Sequence, residues 1–274
     1  MMSFASLFIL LILVGLIVGV MSGLVGITGA FIIVPVGSFC LASLGFPEEV
    51  AMRTAIATSL FIVMPTAVAG AWVHFKNGNI RTETAIAAGL TGLVFSYIGS
   101  NISEHLSAGN LSLLFGLVYI ASSLAVLLAT KARGRETAKT KAYYAPVFGL
   151  IVGLIAGTTG IGGGVILIPL FLILLKFPAE KAIGTATAVV VMTSLGGILG
   201  YVSGGIGVEN LPPYSIGYLN VPMLMCIGIT AIPATLLSAK AAPRVGADRL
   251  RVLFLLATLC IGIYYVFVRS GLFF

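Results

Sequence analysis

A glycine-rich apolar segment occurs twice in this chain, and the two copies share the order and spacing of their glycines. The stretch from Gly15 to Pro35 is repeated 134 positions later, from Gly149 to Pro169, and each of its glycines has a counterpart. A further match follows in each copy, where residues 46–51 and 177–182 share the pattern Phe-Pro-x-Glu-x-Ala. Self-similarity over this length predicts two copies of one structural unit.

The composition indicates that most of the chain lies in lipid. Hydrophobic residues make up 59% of the 274 positions and charged residues 8%, whereas soluble domains carry about 25% charged residues. A chain of this length holds roughly eight to ten spans of about 20 residues each. We therefore predict an all-α, polytopic membrane protein in which residues 1–274 form a single transmembrane domain, without a cofactor, a metal site or enzymatic activity.

Each half of the chain has the same order of apolar segments. An apolar run meets a glycine-rich break, a short run continues to a proline, and three longer spans follow, so each half combines a Gly-broken helix pair, re-entrant or fully spanning, with three transmembrane helices. Repeat 1 is predicted at 1–130 and repeat 2 at 143–274, separated by a basic cytoplasmic linker at 131–142. The predicted segments are 4–21, 22–30, 31–45, 51–73, 84–103 and 111–130, then 143–156, 157–164, 165–176, 182–203, 218–238 and 250–268. Pro65 and Pro233 predict kinks or breaks within their spans.

The basic residues predict an orientation for the two repeats. If both termini lie outside the cell membrane and each glycine break adds an even number of crossings, 13 of the 15 basic residues are cytoplasmic. Basic residues concentrate in cytoplasmic loops, so the net charge of +7 reflects topology and not a nucleic-acid partner. These loops are 74–83, 131–142, 176–181 and 239–251. The second half then enters the membrane from the opposite side, so the repeats are inverted, and inverted repeats favour transport by alternating access.

The glycine-rich breaks are the predicted ligand site. Non-helical backbone deep in a membrane is tolerated where it lines a cavity or is buried in protein. The short helix after each break presents free N–H groups and the positive end of its dipole, a combination that binds anions. Hydroxyl groups from the third span of each half can add donors. The predicted substrate-binding residues are Gly26, Ile27, Thr28, Gly29, Thr58, Ser59, Thr158, Thr159, Gly160, Gly162, Gly163, Gly164, Thr185 and Thr187, and Thr54, Thr193 and Ser194 also place hydroxyls at depth.

Structural roles compete with the ligand roles at these positions. A glycine at every fourth residue is typical of close helix packing, and a buried Ser or Thr hydroxyl often bonds to its own helix. The packing interpretation is favoured for Gly15, Gly19 and Gly23 and for Gly149, Gly153 and Gly157, whereas the denser clusters that follow favour ligand binding.

The positions of the charged residues favour an anion over a cation. All eight acidic residues fall in predicted loops or at span ends: Glu48, Glu49, Glu83, Glu104, Glu136, Glu180, Glu209 and Asp248. A cation transporter or a proton relay would need carboxylates at depth. Arg53 lies near a span on the predicted outer side, where it either attracts the anion or pairs with Glu48 or Glu49.

At these segments the sequence resembles the sulfite exporter TauE/SafE family of membrane transporters. The resemblance covers nearly the whole chain, although Thr28 and Ala30 replace glycines of the family pattern. It rests on Gly23-Leu-Val-Gly26-Ile-Thr-Gly29 before Pro35, Gly157-Thr-Thr-Gly160-Ile-Gly-Gly-Gly164 before Pro169, Ala57-Thr58-Ser59-Leu60 and Gly78-Asn79-Ile80. It implies export of a small sulfur oxyanion or organosulfonate, such as sulfite or sulfoacetate, from the cytoplasm across the inner membrane of a prokaryote.

Two other functions fit the same sequence features. An anion channel can also be built from inverted repeats with broken helices, and a scaffold subunit without a transported ligand would use the glycine faces for packing alone. The same faces could join two copies of the chain in a homodimer.

Overall fold

A computed structural model describes residues 4–25, 29–129, 142–241 and 247–269. These residues form ten α-helices, five in each half of the chain. The helices are α1 (Phe4–Val25), α2 (Ala30–Ser43), α3 (Glu48–Lys76), α4 (Thr82–Glu104), α5 (Ala108–Ala129), α6 (Ala145–Thr159), α7 (Gly164–Ile173), α8 (Ala179–Gly204), α9 (Val221–Ala241) and α10 (Ala247–Tyr264). A 3-10 turn at Ala142–Tyr144 precedes α6, a π-helical turn at Tyr265–Arg269 extends α10, and the strands β1 (Ser215–Ile216) and β2 (Leu219–Asn220) form a short antiparallel hairpin before α9. The linker predicted at 131–142 lies almost entirely outside the described residues.

Within the described parts of the chain, five helices are long and apolar enough to cross a membrane, namely α3, α4, α5, α8 and α9. The helices that follow the two breaks are shorter, with 14 residues in α2 and 10 in α7. At about 1.5 Å per residue, α7 extends about 15 Å, half of a hydrocarbon core of about 30 Å. The all-α, multi-pass architecture predicted from the sequence is therefore confirmed.

Both prolines predicted to kink or break a span lie inside uninterrupted helices. Helix α3 continues through Pro65, and α9 continues through Pro233. The prediction of a break at these positions is therefore wrong, whereas a kink at either proline stays a prediction. A proline removes a single backbone donor, and a membrane helix tolerates that loss where neighbouring groups satisfy the freed carbonyl.

Where the structure describes their packing, the glycine stripes are helix contacts, as predicted. A Cβ added to Gly149, Gly153 or Gly157 on α6 would meet the backbone carbonyl of a residue on α4. The stripe on α1 packs in the same way, because a Cβ on Gly15 or Gly19 would meet backbone carbonyls of α9. Small residues allow helix backbones to approach closely where no hydrophobic effect drives association. The first helix of each half thus packs on the fourth helix of the other half.

Helices α3 and α8 pack against each other at the centre of the bundle, while α5 packs against α10. The first half of α3 is continuously buried from Val50 to Leu60, which is unusual for a helix in lipid and leaves its polar side chains without access to water. Those side chains must find partners inside the protein. The partners they find define the site below.

Candidate functional site

The break between α6 and α7 is a buried glycine turn. Helix α6 ends at Thr159, where Gly160 takes a left-handed conformation (φ 74°, ψ 7°) and its N–H donates to the Ala156 carbonyl at 2.8 Å. Gly163 is also left-handed (φ 84°) and begins α7. A side chain at either position would be strained, so glycine is required there. The turn spans 160–163, shorter than the predicted 157–164, because α6 continues through both threonines.

The N-terminus of α7 has unpaired backbone donors in a buried setting. The Gly163 carbonyl accepts hydrogen bonds from the N–H groups of Ile166 (3.1 Å) and Leu167 (3.0 Å). The N–H groups of Gly164 and Val165 have no acceptor among the described residues. These donors point along the axis of the helix at its positive dipole end. An anion is the ligand that such an end favours.

Two hydroxyls contact carbonyls of the turn. Thr193 on α8 donates to the Gly162 carbonyl at 2.9 Å. The Ser59 hydroxyl on α3 lies 3.2 Å from the Gly160 carbonyl and 2.8 Å from the Ile56 carbonyl of its own helix, so its one hydrogen is shared between them. Both side chains are fully buried. The central helix of each half therefore contacts one carbonyl of the break. The backbone N–H groups at the start of α7 remain available to a ligand.

Two further hydroxyls near the break have no partner among the residues that the structure describes. Ser194 Oγ and Ser96 Oγ are buried and make no hydrogen bond within the described segments. Ser194 lies on α8 beside the turn, because its Oγ is 3.7 Å from where a Cβ on Gly162 would stand. Ser96 lies on α4, with its Oγ 3.0 Å from the position of a Cβ on Gly197. A buried hydroxyl without a partner costs about 1–3 kcal/mol, so each needs an explanation.

The turn is packed closely in this structure. A Cβ on Gly160 would stand 2.7 Å from Ser59 Oγ, and one on Gly164 would stand 3.1 Å from a methyl of Val190. A methyl group at either glycine would be closer than ordinary van der Waals contact, so α3 and α8 pack directly against the turn. A ligand that reaches the N–H groups would need these two helices to move apart.

The first half contains a related break whose geometry is only partly described. Gly26, Ile27 and Thr28, three of the predicted ligand residues, lie outside the described residues. Gly29 is buried before α2, and its carbonyl accepts from Ile32 and Ile33 at 3.1 and 3.2 Å. Gly29 has an ordinary helical conformation (φ −68°), in contrast to the left-handed Gly163 at the equivalent position.

The other described hydroxyls that were predicted to bind the substrate already have protein partners. Thr158, Thr159 and Thr187 donate to carbonyls of their own helices at distances of 2.6–3.1 Å. Thr58 Oγ1 accepts the Asn220 N–H at 3.3 Å, and Thr185 Oγ1 accepts the Arg81 N–H at 3.0 Å. The structure brings Ser59, Gly160, Gly162 and Gly163 together at one point, whereas Thr58 and Thr185 hold the turns before α9 and α4.

Arg53 has a structural position that neither sequence interpretation anticipated. Its side chain is buried and donates to three carbonyls at the end of α4, those of Ser103 (3.2 Å), Glu104 (2.9 Å) and Leu106 (2.9 Å). The guanidinium also donates a hydrogen bond to Tyr218 Oη at 3.4 Å. Glu48 pairs instead with Arg269 at 3.2 Å. Pairing of Arg53 with Glu48 or Glu49 is therefore not observed, because the open carbonyls of the helix end are nearer acceptors.

Ser96 was not predicted as a site residue. The spacing of small residues could have identified it. Ala88, Gly92, Ser96 and Ser100 occur at every fourth position, along the α4 face that contacts the α6 glycines. A hydroxyl on such a face is either bonded to its own helix or left without a partner. Ser100 bonds to the Tyr97 carbonyl at 2.7 Å, and Ser96 does not.

The fold is that of a multi-pass helical membrane protein. The similarity of the chain to known proteins identifies it as a membrane transporter. The chain belongs to the sulfite exporter TauE/SafE family, whose model matches residues 11–265. It is 31% identical over 245 residues to a probable membrane transporter protein of Methanocaldococcus jannaschii, covering 89% of this chain and 90% of that protein. It is 28% identical to a probable membrane transporter protein of Haemophilus influenzae, covering 93% and 97% of the two chains. No solved structure matches the chain at a comparable level.

Proposed function

We propose that the protein is a secondary transporter that carries a small anion past the α6–α7 break. The observation that carries this proposal is the buried N-terminus of α7, where the N–H groups of Gly164 and Val165 have no described acceptor and the Ser194 hydroxyl beside the turn has no described partner. All of these groups can donate. The acidic residues of the described segments lie at helix ends or in a turn, so no described carboxylate repels an anion at the break.

The free energy of binding comes from groups that are unsatisfied without a ligand. A helix N-terminus favours an anion by about 0.3–1 kcal/mol at a surface and up to about 2 kcal/mol when partly buried. A hydrogen bond to a charged group adds about 1.5–3 kcal/mol. A tetrahedral or pyramidal oxyanion can accept from several donors at once, so a sulfur oxyanion or an organosulfonate such as sulfite or sulfoacetate suits the site. The name of the family supports this class of substrate.

Equivalent contacts in the two halves support the predicted repeat and its alternating-access mechanism. A Cβ on Gly163 would meet Val152, and a Cβ on Gly29 would meet Val18. Gly29 and Gly163 are separated by the offset that relates the two glycine-rich segments, and so are Val18 and Val152. Together with the crossed packing of α1 on α9 and α6 on α4, these contacts support a two-fold relation between repeats 1 and 2.

Equivalent loops in the two halves, just before α4 and α9, each donate an N–H group to a threonine of the other half. The two threonines lie about one helical turn apart in their positions along α8 and α3. The Arg81 N–H, just before α4, donates to Thr185, the seventh residue of α8. The Asn220 N–H, just before α9, donates to Thr58, the eleventh residue of α3. The seventh residue of α3 is Thr54, whose buried hydroxyl has no partner in the described segments. We propose that the Asn220 contact moves between Thr58 and Thr54, by about 5.4 Å, as the transporter changes state.

The direction of transport rests on the predicted orientation. We propose that both termini lie outside the cell membrane, that the basic linker is cytoplasmic and that the substrate is exported. The basic ends of α3 and α8, at Lys76 and Lys181, then face the cytoplasm and raise the local concentration of anions. Accessibility of single introduced cysteines at the two ends of α3 to a membrane-impermeant reagent tests this orientation.

Flux in liposomes tests the function directly. Purified protein is expected to take up labelled sulfite or sulfoacetate with saturation and to show counterflow. Ser194→Ala should raise the half-saturation concentration about ten-fold or more, because it removes one donor to a charged ligand. Ser122→Ala is the matched control, since Ser122 is also buried and unpartnered among the described residues but lies on α5, outside the segments that form the break. Thr54→Val should slow counterflow without changing half-saturation.

Each alternative function has its own outcome in this assay. Flux that rises linearly with concentration and shows no counterflow would indicate an anion channel. A folded protein that carries none of the anions would favour the scaffold function. Equal effects of Ser194→Ala and Ser122→Ala would remove the α7 N-terminus from the proposed binding site.

A further inference from the structure

An apolar groove of about 800 Å³ lies on the outer face of the bundle between α3 and α8. Every residue that lines it is apolar, including Pro65, Val68, Trp72 and Phe75 on α3 and Met192 on α8. Trp72 is 60% exposed and Phe75 is 62% exposed. In a membrane protein these side chains face the bilayer, and the volume lies in the range of small-molecule sites.

The groove has the length of one leaflet. Pro65 is twelve residues from Arg53 and eleven residues from Lys76 on the same helix. At about 1.5 Å per residue the two charges stand about 35 Å apart, slightly more than a hydrocarbon core of about 30 Å. Pro65 therefore lies near the bilayer centre, and the groove extends from there about 16 Å to the end of α3. A lipid acyl chain occupies this depth.

A lysine lies at the end of the groove where α3 ends. Lys76 is exposed, and its Nζ lies 5.1 Å from the centre of the Trp72 ring. Tryptophan and lysine at this depth are typical of the membrane interface. The same end of α3, α4 and α8 carries the basic residues Lys76, Arg81 and Lys181 against the acidic residues Glu83 and Glu180. The local charge is therefore positive, although not strongly so.

We propose that this groove binds one anionic phospholipid, with an acyl chain along Pro65, Val68 and Trp72 and the headgroup phosphate at Lys76. Basic positions at the ends of membrane helices attract anionic headgroups, and the Trp72 ring holds the lysine over the groove. The site is separate from the α6–α7 break and does not depend on the transported substrate.

A second groove provides an internal comparison. It lies between α3 and α9, has a volume of about 440 Å³ and is also lined only by apolar residues. Its lining on α3 runs from Phe61 to Pro65, near the bilayer centre, so no basic side chain of α3 stands at its end. This groove can hold lipid tails, but α3 gives it no basic side chain that would select a headgroup.

Native mass spectrometry of the purified protein tests the proposal with dioleoyl phosphatidylglycerol and dioleoyl phosphatidylcholine. We expect phosphatidylglycerol to bind about five-fold more tightly, the ratio that one lysine near an anionic headgroup gives. Lys76→Gln should abolish this preference and Lys76→Arg should keep it. Lys176→Gln is the matched control, because Lys176 is also exposed and basic but lies in the loop before α8, whereas Lys76 stands over the Trp72 ring that lines the groove.

Substitutions within the grooves test where the chain lies. Ala188→Phe fills the α3–α8 groove and should weaken binding of both lipids, whereas Gly228→Leu fills the α3–α9 groove and should leave the headgroup ratio unchanged. Ala69→Leu replaces Ala188→Phe if that variant does not fold. Equal binding of the two lipids by the native protein would overturn the proposal. So would a loss of preference in Lys176→Gln equal to that in Lys76→Gln, or a dimer that covers Trp72 and excludes lipid.

Discussion

Thr193→Val isolates the hydrogen bond that holds the glycine break from α8. Thr193 Oγ1 donates to the Gly162 carbonyl at 2.9 Å and is fully buried. Valine keeps the branched shape but cannot donate, so the carbonyl is left unsatisfied. We expect the free energy of unfolding to fall by about 1–3 kcal/mol, the cost of an unmade buried hydrogen bond. For a chain of this size, the midpoint of thermal unfolding should fall by about 2–4 °C for each kcal/mol lost.

Thr187→Val is the matched control for this experiment. Thr187 lies on the same helix, but its hydroxyl donates to the Ile183 carbonyl of its own helix at 2.7 Å. That carbonyl belongs to the helix ladder, so removal of the hydroxyl should change stability by less than about 0.5 kcal/mol. Thermal unfolding of both variants in one detergent makes the comparison. Equal losses in the two variants, or none in Thr193→Val, would refute the assignment of Thr193 to the turn.

Three further predictions concern the helix contacts. Gly153→Leu places a side chain against the α4 backbone and should prevent the folded protein from accumulating, whereas Gly228→Leu enters open space and should fold, as measured by monodisperse yield from detergent. Arg53→Met leaves the carbonyls at the end of α4 without donors and should destabilise the protein by at least about 1–3 kcal/mol in thermal unfolding, the cost of an unsatisfied buried acceptor; a change below 1 kcal/mol would contradict the capping role. Glu48→Gln breaks a partly exposed pair with Arg269 and should cost at most about 1 kcal/mol, a loss that 1 M salt reduces in the native protein as well.

The parts of this fold that depend on local pattern could be predicted from the sequence. Helix positions follow from apolar runs, because a span in lipid needs about 20 apolar residues. The stripe at Gly149, Gly153 and Gly157 predicts a close helix contact, since four-residue spacing places small residues on one face. The break after Gly160 follows from glycine density. Each of these inferences uses residues that are near one another in the chain.

The hydrogen-bond partners could not be predicted, because they come from distant segments. Arg53 bonds to Tyr218, 165 positions away, and Ser59 bonds to Gly160, 101 positions away. The sequence offered Glu48 and Glu49 as acceptors for Arg53 because they are local, whereas the fold brings the end of α4 against it. Likewise, tertiary contacts decide which of the hydroxyls predicted to bind the ligand form hydrogen bonds with backbone groups and which have no partner in the described segments.

That division has a consequence for the proposed transport cycle. If every hydroxyl at the break faced the substrate, binding would be tight and release slow. The Thr193 hydroxyl instead donates to the turn, and the Ser59 hydroxyl is shared between the turn and its own helix, so a substrate at α7 would meet a few backbone N–H groups and the Ser194 hydroxyl. Each unsatisfied donor costs about 1–3 kcal/mol without a ligand, and a substrate that relieves two of them recovers that amount before it loses its own hydration. A balance of this size is small enough to reverse when α3 and α8 separate, as release on the other side of the membrane requires.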